Sequence, residues 1–382
     1  MMRRAILLVA AMAVSLLVPS GVALAVNTIG TADTLSSGRC SSSTKGQPIP
    51  VMTRNLYVGA DLSPVSAAAA TGDGPAIVQA TTEAWHGVKA TNFPERAGAL
   101  ASEIENSEPL LVGLQEVSLF RTALPDSITA TPTPAQHVEL DYLDILLKEL
   151  EKRGLHYAPV TVTEEADTEI PGYTAPGVLQ DIRLTERDVI LARTDVPSSK
   201  VQFSNKRIGI YAAYASVPIG QTGQSIKLLS GWDSVDVTLR GKTFRFINTH
   251  LEPEGPLNAI QVAQGNELLN GPANTSLPVI LVGDFNSRAD GTGTPTYNNL
   301  IGAGFKDAWS ATHPRELGNT WGHDADLLNT TVDFDRRLDL VLFRGGPCAL
   351  DADVVGDELR DRTPSGLWPS DHAGVVATLR GE

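Results

Sequence analysis

A set of short apolar runs, each interrupted or ended by a polar side chain, limits what this 382-residue chain can fold into more than any other feature. The sharpest example is Ile280-Leu281-Val282-Gly283-Asp284-Phe285-Asn286-Ser287. An apolar run that stops at glycine predicts a buried strand with a turn behind it. Side chains alternate along a strand, so Asp284 and Asn286 point to the same side. A carboxylate and an amide are then held together at a rigid edge, an arrangement that hard cations and phosphate esters both use. Taken alone, the run is equally well a surface turn that uses Asp and Asn for turn chemistry. Partners elsewhere in the chain decide between the two.

Five further runs share the pattern. Residues 51–58 carry Asn55, and 110–117 end on Glu116. Residues 234–251 alternate on both sides of Gly241-Lys242, which predicts a hairpin whose second arm leads into His250. Residues 336–343 open with charge and carry Asp339, and 368–377 carry Asp371 and His372. Burying an unpaired charge is costly, so strands that keep such groups are expected to pair them or bind a metal. The inventory is four carboxylates, two amides and two imidazoles, without cysteine. Oxygen-dominated ligation favours Mg²⁺, Mn²⁺ or Ca²⁺ over zinc, and phosphoryl chemistry needs such a cation with an activated water.

The rest of the chain supplies a scaffold. Pro94 and Glu95 open a helix to about residue 106, and 256–270 predict another. Leu143, Leu146, Leu147 and Leu150, followed by Lys152-Arg153-Gly154, predict an amphipathic helix packed on the core. The Ala-rich stretch 63–93 is expected as short helices around a peripheral loop. Loops are expected at 120–136, with three prolines, and at the acidic stretch 164–180. Residues 187–193 and 211–215 read as short strands. Strands without strict βα repetition fit sheet packed on sheet with helices outside.

Arg3 and Arg4 precede the apolar run 5–18, and Ala23-Leu24-Ala25 supplies small residues before a cut, so 1–25 is expected to be a secretory signal. The run is shorter than the ~20 residues of a spanning helix, and a secreted, soluble monomer without a transmembrane anchor is expected. Residues 26–47 are expected as a flexible tail and 48–382 as one domain. Removing 1–25 leaves 28 basic and 44 acidic residues, a net charge of −16. That charge argues against a broad nucleic-acid patch, although bound cations reverse the field locally. Cys40 and Cys348 either close one disulfide or remain two thiols.

In order and wording, Arg54-Asn55-Leu56, Leu114-Gln115-Glu116-Val117, Asn248-Thr249-His250-Leu251, Val282-Gly283-Asp284-Phe285-Asn286, Arg337-Leu338-Asp339 and Ser370-Asp371-His372 resemble the motifs of the endonuclease/exonuclease/phosphatase superfamily, the deoxyribonuclease I-like phosphoesterases. The resemblance spans residues 49–380. It implies an α/β four-layer sandwich of two mixed sheets with helices on both outer faces. It implies that Glu116, helped by Asn55, holds the principal divalent cation, with Asp371 close by. Asp284 would orient or deprotonate the attacking water, and Asn286 would hold a phosphate oxygen. His372, paired with Asp339, would serve as base or charge stabiliser, and His250 would donate to the phosphate or leaving group. Tyr57 stands where some relatives have an acid, which puts a second metal contact there in question. Residues 63–90 look like an insertion near the mouth. Trp85 within it and Trp368 beside the last motif are candidate substrate-rim aromatics, with core packing as the alternative.

The resemblance implies a phosphodiesterase that uses Mg²⁺, with Mn²⁺ or Ca²⁺ as alternatives, and a nucleic-acid substrate is the leading expectation. A sphingomyelinase-like, phospholipase C-like or inositol-phosphatase-like hydrolase of a lipid or small-molecule phosphoester is the second. A noncatalytic binding protein on the same scaffold would have lost site residues, and every motif position is kept.

Overall fold

Aliphatic and β-branched residues recur along the apolar runs, and these runs pair into two mixed sheets whose inner faces exclude water. The computed structural model describes residues 38–41, 44–126, 133–221, 223 and 225–381. The expected signal and most of the expected tail lie outside the described residues.

In chain order the elements begin with β1 (Pro48–Asn55), α1 (Ser63–Thr71), α2 (Gly74–Ala90), α3 (Phe93–Ser107), β2 (Leu111–Gln115) and β3 (Leu119–Ala123). They continue with β4 (His137–Asp141), α4 (Tyr142–Lys152), β5 (Tyr157–Ala175), β6 (Val178–Arg193), β7 (Val201–Ile210), β8 (Ala215–Pro218) and β9 (Ser225–Leu228). The second half holds β10 (Gly231–Leu239), β11 (Lys242–His250), α5 (Asn258–Asn270), β12 (Val279–Asp284), α6 (Thr296–Gly302) and β13 (Lys306–Asp307). It closes with α7 (Ala308–Thr312), β14 (Asp339–Arg344), β15 (Cys348–Val355) and β16 (Gly374–Arg380).

One sheet runs β15-β16-β1-β2-β6-β3-β4, with β5 also paired to β6, and the other runs β13-β14-β12-β11-β10-β7. Val51, Leu111 and Ile190 of the first pack against Val235, Phe246, Ile280 and Val341 of the second. Phe93, Leu100, Tyr142 and Leu146 cover the outside of the first sheet, and Leu268, Tyr297 and Leu300 cover the second. Helix, sheet, sheet and helix make four layers, as expected. Each fully buried side chain of this size contributes about 1.5–3 kcal/mol, so the three apolar layers dominate the driving force.

Several local expectations are corrected. Residues 164–180 are not a loop, because cross-strand pairing stabilises their charges: Asp167 accepts from Arg183 at 2.9 Å and from Thr185 at 2.7 Å. The Pro-rich stretch 120–136 begins inside β3. Residues 211–215 separate β7 from β8, and only Ala215 is in a strand. The hairpin turns on Arg240-Gly241, both at positive φ, with Leu239 opposite Lys242. At the N-terminal end, Cys40 is disulfide-bonded to Cys348 and its amide donates to the Ala349 carbonyl at 2.8 Å, so residues 38–41 are fastened to β15. Among the described residues, no helix is long and apolar enough to cross a membrane.

The central pairs β1–β2 and β11–β12 are parallel, and all four strands end at the same edge of the sandwich. Parallel strand ends are where open sheets place ligands. Gly283 makes that edge close: its φ is +151°, and a Cβ there would stand 2.0 Å from the Thr249 carbonyl oxygen. Gly283→Ala is therefore expected to cost at least ~1–3 kcal/mol in backbone strain alone, read as a lower urea midpoint. An unchanged midpoint would show that β12 can withdraw from β11 freely.

Candidate functional site

Asn55, Glu116, His250, Asp284 and Asn286 sit where strands stop, while Asp339 opens β14 and Asp371 and His372 lead into β16. Asn55 is the last residue of β1, and its Nδ2 donates to Glu116 Oε1 at 2.9 Å and to Asp284 Oδ2 at 3.3 Å. Its Oδ1 accepts from the Tyr57 amide at 2.8 Å, which folds the chain back with Tyr57 at φ +61°. Glu116 follows β2 at φ +54°, and its Oε2 accepts from the Val58 amide at 2.6 Å. Left-handed backbone at non-glycine residues costs energy and persists only where surroundings impose it. Here the strained turns swing Glu116 off the strand axis toward Asn55.

The β12 end provides the facing groups. Asp284 is buried, and its Oδ1 accepts from the Asn286 amide at 2.9 Å, an Asx turn that places Asn286 at φ +46°. Asp284 Oδ2 lies 3.5 Å from His250 Nε2 and 3.7 Å from His372 Nε2. Asn286 Nδ2 donates to the Leu251 carbonyl at 2.8 Å and is 3.3 Å from His250 Nε2. His372 Nδ1 donates to Asp339 Oδ2 at 2.8 Å, and Thr320 Oγ1 donates to the same oxygen at 2.6 Å. That pair fixes the ring so that Nε2 faces Asp284.

The electrostatics follow from enclosure. Burial alone would depress His372, but Asp339, Asp284 and Asp371 outweigh it and hold the imidazole well above its ordinary value. Burial pushes Asp284 up against the pull of His372. Asp371 keeps part of its surface exposed, yet desolvation raises it to about 6 despite the neighbouring His372. Cations brace the site from behind. Arg54 Nη1 donates to the His372 carbonyl at 2.5 Å, and its Nε and Nη2 grip Glu103 at 2.8 and 2.9 Å. Arg96, fully buried on α3, donates to the Leu56 carbonyl at 2.6 Å and to the Pro369 carbonyl at 2.9 Å.

The structure thus brings Asn55, Glu116, His250, Asp284, Asn286, Asp339, Asp371 and His372 to one edge. The two tryptophans are corrections: neither lines a substrate rim. Trp85 is buried edge-on to Phe120 with centroids 5.7 Å apart. Trp368 is fully buried, stacked on His323 at 4.0 Å, with Nε1 donating to the Asn329 carbonyl at 2.8 Å. Large aromatic areas gain more from the core than from the rim.

Acidic groups able to hold a divalent cation are present on both sides of the site. Asp284, Asp339 and His372 offer ligand atoms within 4.8 Å of one another, and Asp339 Oδ1 is buried without a partner. The imidazole in that group is committed to Asp339 and positively charged, so it suits proton handling better than ligation. Glu116 and Asp371 are the better fit to a hard cation, because carboxylate oxygens are what such ions take, while Asn55 turns its Nδ2 to Glu116 and holds that carboxylate in place.

Several contributing residues take no role from the sequence: Thr320 and Arg96 lie outside the motifs, and Arg54, Gln115 and Asn248 lie within them. Thr320 orients Asp339, and Arg54 and Arg96 hold the backbone. Gln115 Nε2 donates to Asn248 Oδ1 at 2.6 Å, and Asn248 Nδ2 donates to the Leu114 carbonyl at 3.1 Å, which links the two sheets beneath the site. Burial raises Glu186 to about 8 and both Glu252 and Asp233 to about 7. Strand alternation contains a signal for one of these, because Glu252 stands two residues after His250.

The Endonuclease/Exonuclease/phosphatase family matches residues 80–372. No curated protein matches the chain. Among solved structures, the endonuclease/exonuclease/phosphatase family protein of Bacteroides thetaiotaomicron is similar with a TM-score of 0.52 at 17% identity, covering 89% of this chain and 100% of its own. That of Bacteroides vulgatus has a TM-score of 0.52 at 15% identity, covering 88% and 100%. D. rerio TDP2, complexed with a single-strand DNA product, has a TM-score of 0.50 at 19% identity, covering 87% and 99%. Likeness at these identities shows the deoxyribonuclease I-like fold. With the family match spanning most of its length, the chain belongs to the endonuclease/exonuclease/phosphatase family and is a metal-dependent phosphoester hydrolase.

Proposed function

We propose that this protein is an exported phosphodiesterase of nuclease type that uses Mg²⁺, with Mn²⁺ or Ca²⁺ able to substitute. The carrying observation is the convergence at one strand-end edge of an oxygen-rich cradle and a buried carboxylate flanked by two imidazoles. Glu116 and Asp371 would hold the cation, helped by Asn55, which positions Glu116, and the cation would neutralise the nonbridging phosphate oxygens. Asp284 is placed to orient a water and accept its proton. Asn286 and His250, whose nitrogens lie 3.3 Å apart, would hold the phosphate from the β11–β12 side. His372, kept positive by Asp339, stabilises charge that develops on the phosphoryl oxygens. The Cys40–Cys348 disulfide supports export, since such bonds persist in oxidising compartments.

Nucleic acid as substrate draws support from the DNA product held by the D. rerio protein. A lipid or small-molecule phosphoester is the second reading, favoured by the charge of −16 on residues 26–382. A purely binding role is disfavoured by the intact site.

Turnover of bis(p-nitrophenyl) phosphate with Mg²⁺ should stop on chelation, and side-by-side plasmid DNA, RNA, sphingomyelin and inositol phosphates would rank the substrates. Asp284→Ala and His372→Ala should each lower kcat on the order of 10²–10⁴-fold with circular dichroism unchanged. Full activity in either variant removes that residue from the site. Asp371 must lose its proton to bind a cation, and burial raises its pKa to about 6. Calorimetric Mn²⁺ affinity should therefore fall about tenfold per unit below pH 6 and level off above it. An affinity constant from pH 5 to 7 would exclude Asp371 as a ligand.

A further inference from the structure

The geometry points to a site closed on one flank, which takes the end of a nucleic-acid strand and excludes an internal bond of a strand that continues on both sides. This deepens the phosphodiesterase reading and rests on it. The closing element is the stretch expected from sequence to be peripheral: α1 and α2 form an arch across the mouth.

The arch springs from the metal side. Beyond Val58, whose amide holds Glu116, the chain enters Gly59-Ala60, and the last turn of α2 packs on these residues. Thr91 Oγ1 donates to the Gly59 carbonyl at 2.9 Å, and a Cβ on Gly87 would lie 3.0 Å from the Ala60 Cβ. The body of α2 leans on the part of the β5–β6 hairpin that overshoots the site. β2 pairs with β6 only as far as Val189, so residues 178–188 run on past it for roughly 30 Å. The Tyr173 amide donates to Thr82 Oγ1 at 2.9 Å, and Trp85 rests on Phe120 of β3. With 17 residues, α2 is itself about 25 Å long.

The arch lands on the histidine side. The Ala69 carbonyl accepts from the Gly220 amide at 3.0 Å. Gly72 and Gly220 touch backbone to backbone: a Cβ on the first would stand 2.8 Å from the Gly220 Cα, and one on the second 2.6 Å from the Gly72 Cα. Gly220 lies in the β8–β9 hairpin. That hairpin is anchored through Tyr211, whose hydroxyl meets Thr249 Oγ1 at 2.7 Å, one residue before His250. Two glycines at positive φ are what let the walls meet. A polynucleotide leaving the site on this flank would have to pass through α1 and α2.

A linear single-stranded oligonucleotide and the same sequence closed into a circle test this directly. Wild type with Mg²⁺ should shorten the linear strand and cut the circle at least about 100-fold more slowly. Rates within about tenfold of each other would overturn the arch. In Gly72→Val/Gly220→Val the added side chains must push the clasp apart, so circle cutting should rise about tenfold or more with bis(p-nitrophenyl) phosphate turnover unchanged. Unaltered circle cutting in that folded variant would also count against it. Failure of the phosphodiesterase reading looks different: no diester is turned over. Anisotropy with Asp284→Ala still tests the arch then, with the circle expected at least about tenfold weaker than the linear strand. Equal affinities, or none for either, would refute it.

Discussion

One side-chain amide joins the two sheets where the chemistry is assembled. Asn55 Nδ2 reaches Glu116 on its own sheet and Asp284 on the other, while Asn55 Oδ1 shapes the turn beyond it. Most of the sandwich interior is held by non-directional apolar contact, which fixes volume far better than register. Directional links at Asn55 and at Gln115–Asn248 remove that freedom. Because a buried donor left unpaired costs more than a bond gains, these links strongly disfavour sliding of one sheet over the other.

The same enclosure that orders the site loads it with charge. Asp284, Asp371, Glu186, Glu252 and Asp233 are all shifted upward by desolvation, and Asp188, also raised by burial, has both carboxylate oxygens without partners. Against these acids the site sets one buried imidazolium and backbone clamps from Arg54 and Arg96. Such a surplus of buried carboxylates is suited to a cation, whose charge would lower their pKa values together. The braces act on carbonyls of Leu56, His372 and Pro369, so they hold geometry while leaving the carboxylates free to ligate.

Around that edge, selectivity comes from what surrounds the strand ends. The four-layer scaffold presents a strand-end edge open to either side, and the α1–α2 segment with the long β5–β6 hairpin makes it one-sided. Core aromatics serve this wall: Trp85 fastens α2 to β3, and the Phe93–Tyr142 stack, with centroids 3.5 Å apart, fastens α3 to α4 beneath it.

The sequence by itself determined the layers and the chemical inventory of the site, because strand periodicity and the cost of buried charge act locally. Asp284, Glu116, His250 and His372 were legible for that reason, the first three standing at the end of an apolar run and His372 just before one. Only the tertiary structure decided what depends on distant segments meeting. The acidic stretch 164–180 is strand on both sides of a turn at 176–177 because Asp167 finds Arg183, and no local pattern encodes that partner. Trp85 and Trp368 are core because Phe120 and His323 cover them. Thr320 and Arg96 act through backbone and carboxylate groups far away in sequence. The flank that α1 closes was invisible for the same reason: Gly72 and Gly220 are 148 residues apart, and only the folded chain brings their backbones together.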